Sequence, residues 1–383
     1  MKIAYITAFY YPTIGGVEQV VKELAERYVK QGHEVHVFTS DWDKIKRIKI
    51  KEETINGVHV HRHFHILKVA NFASIFPSLL WSLYKYKFDI IHTHVSGHAH
   101  TFFGSLIAKL KKTPLIHTTH CPWTNSFRSL TGKILVLISY NTITKLSFKL
   151  SDKIIAITPW EIPFIQKYGV KKEKIIIIPN GVDKIFLNKI KDNNFKKELK
   201  LKNKIVLFFG RLNPTKGPDK FVLAAKEILK ENKNIDFLIV GPDEGMLNKV
   251  KELSKNIEQI KILPPIRDKQ KVAEMYQASE IYVMPSYREG LPLSLFEALA
   301  SGLPIVASPV NGIPFEIKEP ENGFFVNYGD IKGLKEKILF LLKNKKFSKN
   351  ISKNNIEKAR NYDWDIIAEK TLNVYKEVIK GLN

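Results

Sequence analysis

The sequence predicts an α/β protein built as two doubly wound domains, and three observations carry that expectation. Apolar, strand-like runs alternate with helical stretches along most of the chain. The alternation comes as two series, before and after a polar run at 189–203. Glycine turns sit where strands hand over to helices. Strands alternating with helices imply parallel sheets joined by right-handed crossovers. A length of 383 residues exceeds one ordinary core and suits two.

The first series opens with an apolar run at 2–7, which Gly15-Gly16 interrupts. Val20, Val21, Leu24, Ala25 and Tyr28 then recur at helical spacing over 17–30. Gly32 fits the position just past a helix end, and 33–39 alternates as a second strand. Further strands are expected at 57–64, 89–94, 114–119, 153–157 and 174–178. The second series places strands at 204–210, 236–240, 259–263, 281–284 and 304–307. Helices are expected between them at 218–230, 244–254, 268–277 and 293–301, then at 331–342. The expected division is a first domain at 1–183, a linker at 184–203 and a second domain at 204–360. A final segment at 361–383 carries a helix that packs back on the first domain.

Composition excludes several classes. A hydrophobic content of 44% is that of a globular chain. A lone Cys121 rules out a disulfide framework and a cysteine-based metal centre. The apolar start runs into a glycine turn, as a first strand does and a secretory leader does not. The longest uncharged apolar stretch lacking histidine, 69–84, is too short to span a bilayer and holds Pro77. The expected location is the cytoplasm, peripheral on the inner face of the cell membrane. The net charge is +23, and 62–172 alone holds 15 basic and 3 acidic residues. Such a field attracts phosphates, nucleic acid or anionic lipid. Lysine-rich proteome bias explains it equally well.

Three segments could carry chemistry. Gly15-Gly16-Val17-Glu18 joins the first strand to its helix, where glycine lets the backbone approach a ligand and the helix start favours anions. It lacks the three spaced glycines of a dinucleotide fingerprint, and alone it reads better as a tight turn. Gly210-Arg211-Leu212-Asn213-Pro214-Thr215-Lys216-Gly217 follows the first strand of the second series. Arg211 and Lys216 would project from the carboxyl end of that sheet, and a guanidinium fork with an ammonium suits a diphosphate. Glu289 to Glu297 is the third. Eight helical residues would separate the two acids by ~12 Å, against the ~5 Å of a retaining hydrolase pair. Each acid is better read as a hydroxyl holder, with the helix start at Leu293 and Ser294 free to dock a phosphate between them. That is the outline of a sugar–diphosphate–ribose ligand.

Together these pieces resemble the family 4 retaining glycosyltransferases, whose fold, GT-B, sets two Rossmann-like domains around a central cleft. The resemblance covers nearly the whole chain. Its motifs are Gly15-Gly16, the strand end 114–120, 178–183, Gly210-Arg211-Leu212 with Lys216-Gly217, Leu263-Pro264-Pro265, and the E-x7-E segment ending Glu297-Ala298. It implies an acceptor-binding first domain and a nucleotide-sugar-binding second domain. Arg211 and Lys216 would grip the donor diphosphate, Glu289 the hydroxyls of the transferred sugar, and Glu297 the ribose. His120 would contact the sugar near its anomeric centre, Gly16 the phosphate and the Ile266 backbone the base. Asn180, Leu291, Leu293 and Ser294 complete the implied donor site. Pro292 lacks an N–H, so any amide contact the family makes there is missing here. The implied reaction moves a sugar from a nucleotide diphosphate to an acceptor glycan or glycolipid hydroxyl, with retention and with neither cofactor nor metal.

Other signals are weaker. Asp41-Trp42-Asp43 and Asp363-Trp364-Asp365 match the D-x-D of metal-using transferases but are discounted, the second as a helix cap. His59, His61, His63 and His65 share one strand face, which could ligate zinc but reads better as an exposed face. His92 and His94 end a strand on the ligand side, bordering the acceptor. The stretches 70–87 and 133–149 mix large apolar residues with lysine, as a membrane-surface helix does and as an ordinary packed helix also does. They support an anionic membrane contact and a lipid-linked acceptor. The competing readings are a sugar-nucleotide epimerase or a phosphorylase on the same fold, and a basic nucleic-acid-binding protein. The last lacks a recognisable module, so no specific nucleic-acid partner is expected.

Overall fold

The protein is described from a computed structural model covering residues 1–383 except 14, 44–45, 70–72, 121–122, 124–128 and 382–383. Cys121 lies outside the described residues. The chain forms two compact units, one of Met1–Asn180 with Trp364–Asn383, the other of Gly181–Asp363.

The first unit is built on an eight-stranded sheet. In chain order its strands are β1 (Lys2–Ile6), β2 (Glu34–Ser40), β3 (Glu52–Ile55), β4 (Val58–His63), β5 (Ile90–His94), β6 (Leu115–Thr118), β7 (Lys153–Ala156) and β8 (Ile175–Ile177). Across the sheet they run β8-β7-β6-β5-β1-β2-β4-β3, with every pair parallel except β3 against β4. The apolar runs of β1 and β5 are buried because helices cover both faces of such a sheet. Strand β3 escapes the sequence pattern. Its Glu-Glu-Thr-Ile is a half-exposed edge, where burial imposes no apolar alternation.

The histidine face of β4 is a correction. It was expected to be exposed, yet only His59 is; His61, His63 and His65 are buried. Their rings stack on aromatic neighbours instead, His61 on Phe38 at 4.5 Å and His63 on Phe76 at 5.9 Å between centroids. The imidazole ring presents enough apolar surface to serve as a core plate.

The final helix, Trp364–Lys380, belongs to this first unit. Its Trp364 and Tyr375 are buried. Tyr375 hydrogen bonds Tyr5 at 3.0 Å, Tyr28 donates to the Ala368 carbonyl at 2.8 Å, and Arg27 pairs with Asp365 at 2.8 Å.

The second unit carries a six-stranded, wholly parallel sheet of β9 (Lys204–Phe209), β10 (Ile235–Val240), β11 (Ile260–Leu263), β12 (Ile281–Met284), β13 (Ile305–Ala307) and β14 (Gly323–Phe325), in the order β11-β10-β9-β12-β13-β14. Phe221 and Phe237 anchor one core face and are fully buried. The segment 184–203, expected as a linker, is part of this unit. Two short helices, Lys184–Leu187 and Phe195–Glu198, bury Phe186 and Phe195. Gln277 bonds Ile190 N and the Asn188 carbonyl, and Asn193 bonds the Glu274 carbonyl. Two single phenylalanines among lysines give that run no apolar period to mark it as helical.

Candidate active site

The second unit gathers most of the expected residues at the carboxyl ends of its strands, where ligands bind in open α/β sheets. After β9 the chain turns through Gly210 into a short 3-10 turn, Pro214–Lys216. Asn213 caps that turn, its side-chain oxygen accepting from Thr215 N at 3.1 Å and Lys216 N at 3.2 Å. Gly217 follows at φ +67°, where a Cβ would stand 2.2 Å from the Pro285 carbonyl oxygen. Only glycine lets the loop pass so close to the end of β12, and this fixes where Lys216 points.

Lys216 aims inward. Its Nζ lies 2.5 Å from Glu289 Oε2, and both side chains are largely buried. Ser286 donates to the other Glu289 oxygen at 2.7 Å, and Asn311 donates to the Glu289 carbonyl. Arg211 points outward, held by Glu244 at 3.0 Å, and Glu244 also accepts from Asn213 at 2.9 Å. Sequence reasoning missed Glu244, Asn213, Ser286 and Asn311. Glu244 was findable: it follows Gly241-Pro242-Asp243 at the carboxyl end of β10, beside the loop after β9.

The helix Leu293–Ala300 starts behind Pro292, and no side chain caps its first turn. Ser294 lies in that turn and shares a hydrogen bond with the Tyr282 hydroxyl at 3.0 Å. Glu297, one turn on, accepts from Tyr276 at 3.1 Å. Burial raises the Glu297 carboxyl to about 7; Tyr276 and Lys269 pull the other way and do not cancel it. Leu291 is buried in the loop before the helix, and Ile266 is half-buried in the loop after β11. The structure thus brings Lys216, Glu289 and Ser286 into contact and puts Ser294 and Glu297 on one short helix, while Arg211, in the loop of Lys216, is held by a separate carboxylate, Glu244.

Gly16, His120 and Asn180 lie in the first unit. Gly16 opens the helix Gly16–Lys30, and the space where its Cβ would stand is open. His120 follows β6 at φ +48°, and its Nε2 lies 3.0 Å from His94 Nδ1. Burial lowers His120 to about 3, so the ring is a neutral imidazole at physiological pH. His92, His94, His120 and Asn180 line one cavity of about 20 Å³ together with Val20 and Trp364. That volume holds about one water. His92 and His94 were expected to border an acceptor, but both are buried, and their charged forms are strongly disfavoured. Their contacts, His92 to Tyr375 and Thr118 and His94 to His120, make them supports of the strand ends.

The two D-x-D sequences hold no open acidic pair. Arg47 and the His65 amide bind Asp41. Arg27 binds Asp365, and Lys184 lies 3.6 Å from Asp363.

Two family models match: the model described as Glycosyltransferase Family 4 over residues 14–184, and that described as Glycosyl transferases group 1 over 189–358. The chain belongs to the family 4 glycosyltransferases. The uncharacterized glycosyltransferase MJ1069 of Methanocaldococcus jannaschii is 31% identical over 100% of this chain and 99% of its own. The N,N'-diacetylbacillosaminyl-diphospho-undecaprenol alpha-1,3-N-acetylgalactosaminyltransferase of Campylobacter jejuni is 32% identical over 75% of this chain and 77% of its own. Among solved structures, the sucrose-phosphate synthase of Thermosynechococcus elongatus superposes with a TM-score of 0.78 at 21% identity, covering 99% of each chain. Anabaena Alr3699/HepE in complex with UDP gives 0.78 at 18% identity over 98% of this chain and 100% of the other. The fold of this glycosyltransferase is therefore GT-B, with two Rossmann-like domains. Among its described residues no helix is long and apolar enough to cross a membrane.

Proposed function

We propose that this glycosyltransferase moves a sugar from a nucleoside-diphosphate donor to a hydroxyl of a lipid-linked glycan, with retention at the anomeric carbon and without a metal ion. The observation that carries the donor half is the Lys216–Glu289 ion pair next to an uncapped helix start in the second unit. Breaking the sugar–phosphate bond leaves a negative diphosphate. A fixed ammonium, a guanidinium and helix-terminal amides stabilise that charge as it develops, so no bound cation is needed for it. The lipid-linked half draws on the Campylobacter relative, whose name specifies a diphospho-undecaprenol acceptor. A thermal-shift screen of nucleotide sugars tests the donor half. One class of donor should raise the melting temperature, and a flat response across common bases and sugars would sink it.

Glu297, the proposed ribose holder, predicts a pH dependence. Ribose hydroxyls donate to a carboxylate, so the donor prefers the ionised form. In the protein without donor, burial raises this carboxyl to about 7. Donor affinity should therefore be full above pH 7 and weaken as pH falls through that value, by up to about tenfold per pH unit. Calorimetric titrations between pH 5.5 and 8.5 would show it, and Glu297→Gln should flatten the curve. A wild-type profile as flat as the variant's would remove Glu297 from the ribose site.

The membrane half rests on the first unit's surface. In the helix Leu130–Ser139 only Val136 and Ser139 are buried, while Leu130, Ile134, Leu135, Leu137 and Ile138 face outward. Leu146 is exposed beyond it, among exposed Lys133, Lys145 and Lys149. A run of outward aliphatics flanked by lysines suits the headgroup boundary of an anionic bilayer. The protein should sediment with anionic liposomes at low salt and much less with neutral ones. Leu137→Asp with Ile138→Asp should abolish sedimentation with the fold intact; unchanged sedimentation would remove this helix from the contact.

A further inference from the structure

The sheet register of the first unit collects a second cluster of chemistry that sugar transfer does not use. Side chains two residues apart on a strand share a face, so Glu34 and His36 on β2 point the same way. His36 is paired in register with His59 on β4. Thr54 on β3 is paired with His59, and Glu52 with His61. All six therefore stand on one face. They lie near the amino ends of β2 and β4, opposite the strand ends that carry His120.

Glu34, His36 and His59 each offer one ligand atom, and the three atoms lie within 4.8 Å of one another. We propose that Glu34, His36 and His59 form a binding site for a first-row divalent transition metal, with Zn²⁺ the best match. Metal–ligand bonds of ~2.0–2.1 Å set shell atoms about 3.3 Å apart, so small side-chain rotations close this set. Two imidazoles and a carboxylate suit zinc, and the exposure of Glu34 and His59 leaves a fourth position for water.

A second layer of contacts supports the assignment. His36 Nδ1 lies 2.8 Å from His61 Nε2, and His61 Nδ1 lies 2.5 Å from Glu52. His61 thus occupies the Nδ1 side of His36, while His36 Nε2 faces Glu34 Oε1 at 2.9 Å, so the two ligand atoms already meet and a metal would take the place of the proton between them. His59 Nδ1 lies 3.4 Å from Thr54 Oγ1. One group opposes a cation: Lys2 Nζ sits 2.7 Å from Glu34 Oε1. The metal takes the other carboxylate oxygen or displaces the ammonium, so Lys2→Gln should tighten binding.

Bound metal would bridge β2 to β4 and stiffen the outer edge of the sheet. The test is calorimetry of the full chain with Zn²⁺, with Co²⁺ absorption as a report of coordination. The wild type should take one Zn²⁺ and rise in melting temperature. His59→Ala and Glu34→Gln, both at exposed positions that tolerate change, should lose that site. Glu52→Gln, which acts only through His61, should weaken it less than either ligand variant. No saturable Zn²⁺ binding by the wild type, or equal binding by His59→Ala and Glu34→Gln, would overturn the assignment.

Discussion

Lys216→Ala is expected to lower kcat/KM for sugar transfer by about 10²–10³-fold, the usual effect of removing one preorganised charge stabiliser. The side chain is held from two directions, its backbone by Asn213 and its loop by the close passage of Gly217 under Pro285. Little reorganisation is then needed when the diphosphate leaves. The variant also strands Glu289, which keeps only Ser286 as a side-chain partner among the contacts described above. Breaking a buried pair in this way commonly costs about 3–5 kcal/mol, so activity must be compared at a temperature where circular dichroism shows both proteins folded. Lys216→Arg separates the two effects. It keeps the charge and spares Glu289, but a planar fork cannot occupy the place of a compact ammonium. Initial rates with the donor found by screening decide the matter. A Lys216→Ala value within tenfold of wild type would take this residue out of the chemistry.

How much of this was legible beforehand differs between strands and contacts. Most parallel strands of both sheets announce themselves because burial on both faces demands continuous apolar runs; the three-residue β14 was not expected, being too short to give such a run. Strand β3 does not, since an edge of Glu-Glu-Thr-Ile carries no such demand. Phe186 and Phe195 were visible in 184–203, but single phenylalanines among lysines give no period to read. The acids at 289 and 297 could be recognised by spacing and resemblance. Their partners could not, because Ser286, Asn311 and Lys216 reach them from different strand ends and Tyr276 from the helix Lys269–Gln277. The raised Glu297 carboxyl is likewise a property of the fold, since burial sets it and burial depends on residues far off in the chain. The histidines of β4 show the reverse error. Their alternation was real, but polar character alone suggested solvent, where stacking on Phe38 and Phe76 put them inside.

Glu289→Ala should abolish turnover, by more than about 10²-fold, yet leave nucleoside-diphosphate binding intact or tighter. The reasoning follows the ion pair. In the structure Lys216 is occupied by Glu289 at 2.5 Å. Deleting the carboxylate frees the ammonium for phosphate, so a ligand without a sugar should lose nothing. A ligand with one should lose the hydrogen bonds its hydroxyls make to a charged acceptor, worth about 1.5–3 kcal/mol, or roughly 10–100-fold in affinity. Paired titrations of Glu289→Ala with the nucleoside diphosphate and the matching nucleotide sugar separate the roles. If both ligands weaken equally, Glu289 serves only to hold Lys216, and the sugar hydroxyls must be held elsewhere. If only the nucleotide sugar weakens, the carboxylate reads the sugar. Because the two side chains touch, the double variant should fall well short of the summed single effects. Full additivity would mean that Lys216 and Glu289 act on the donor independently.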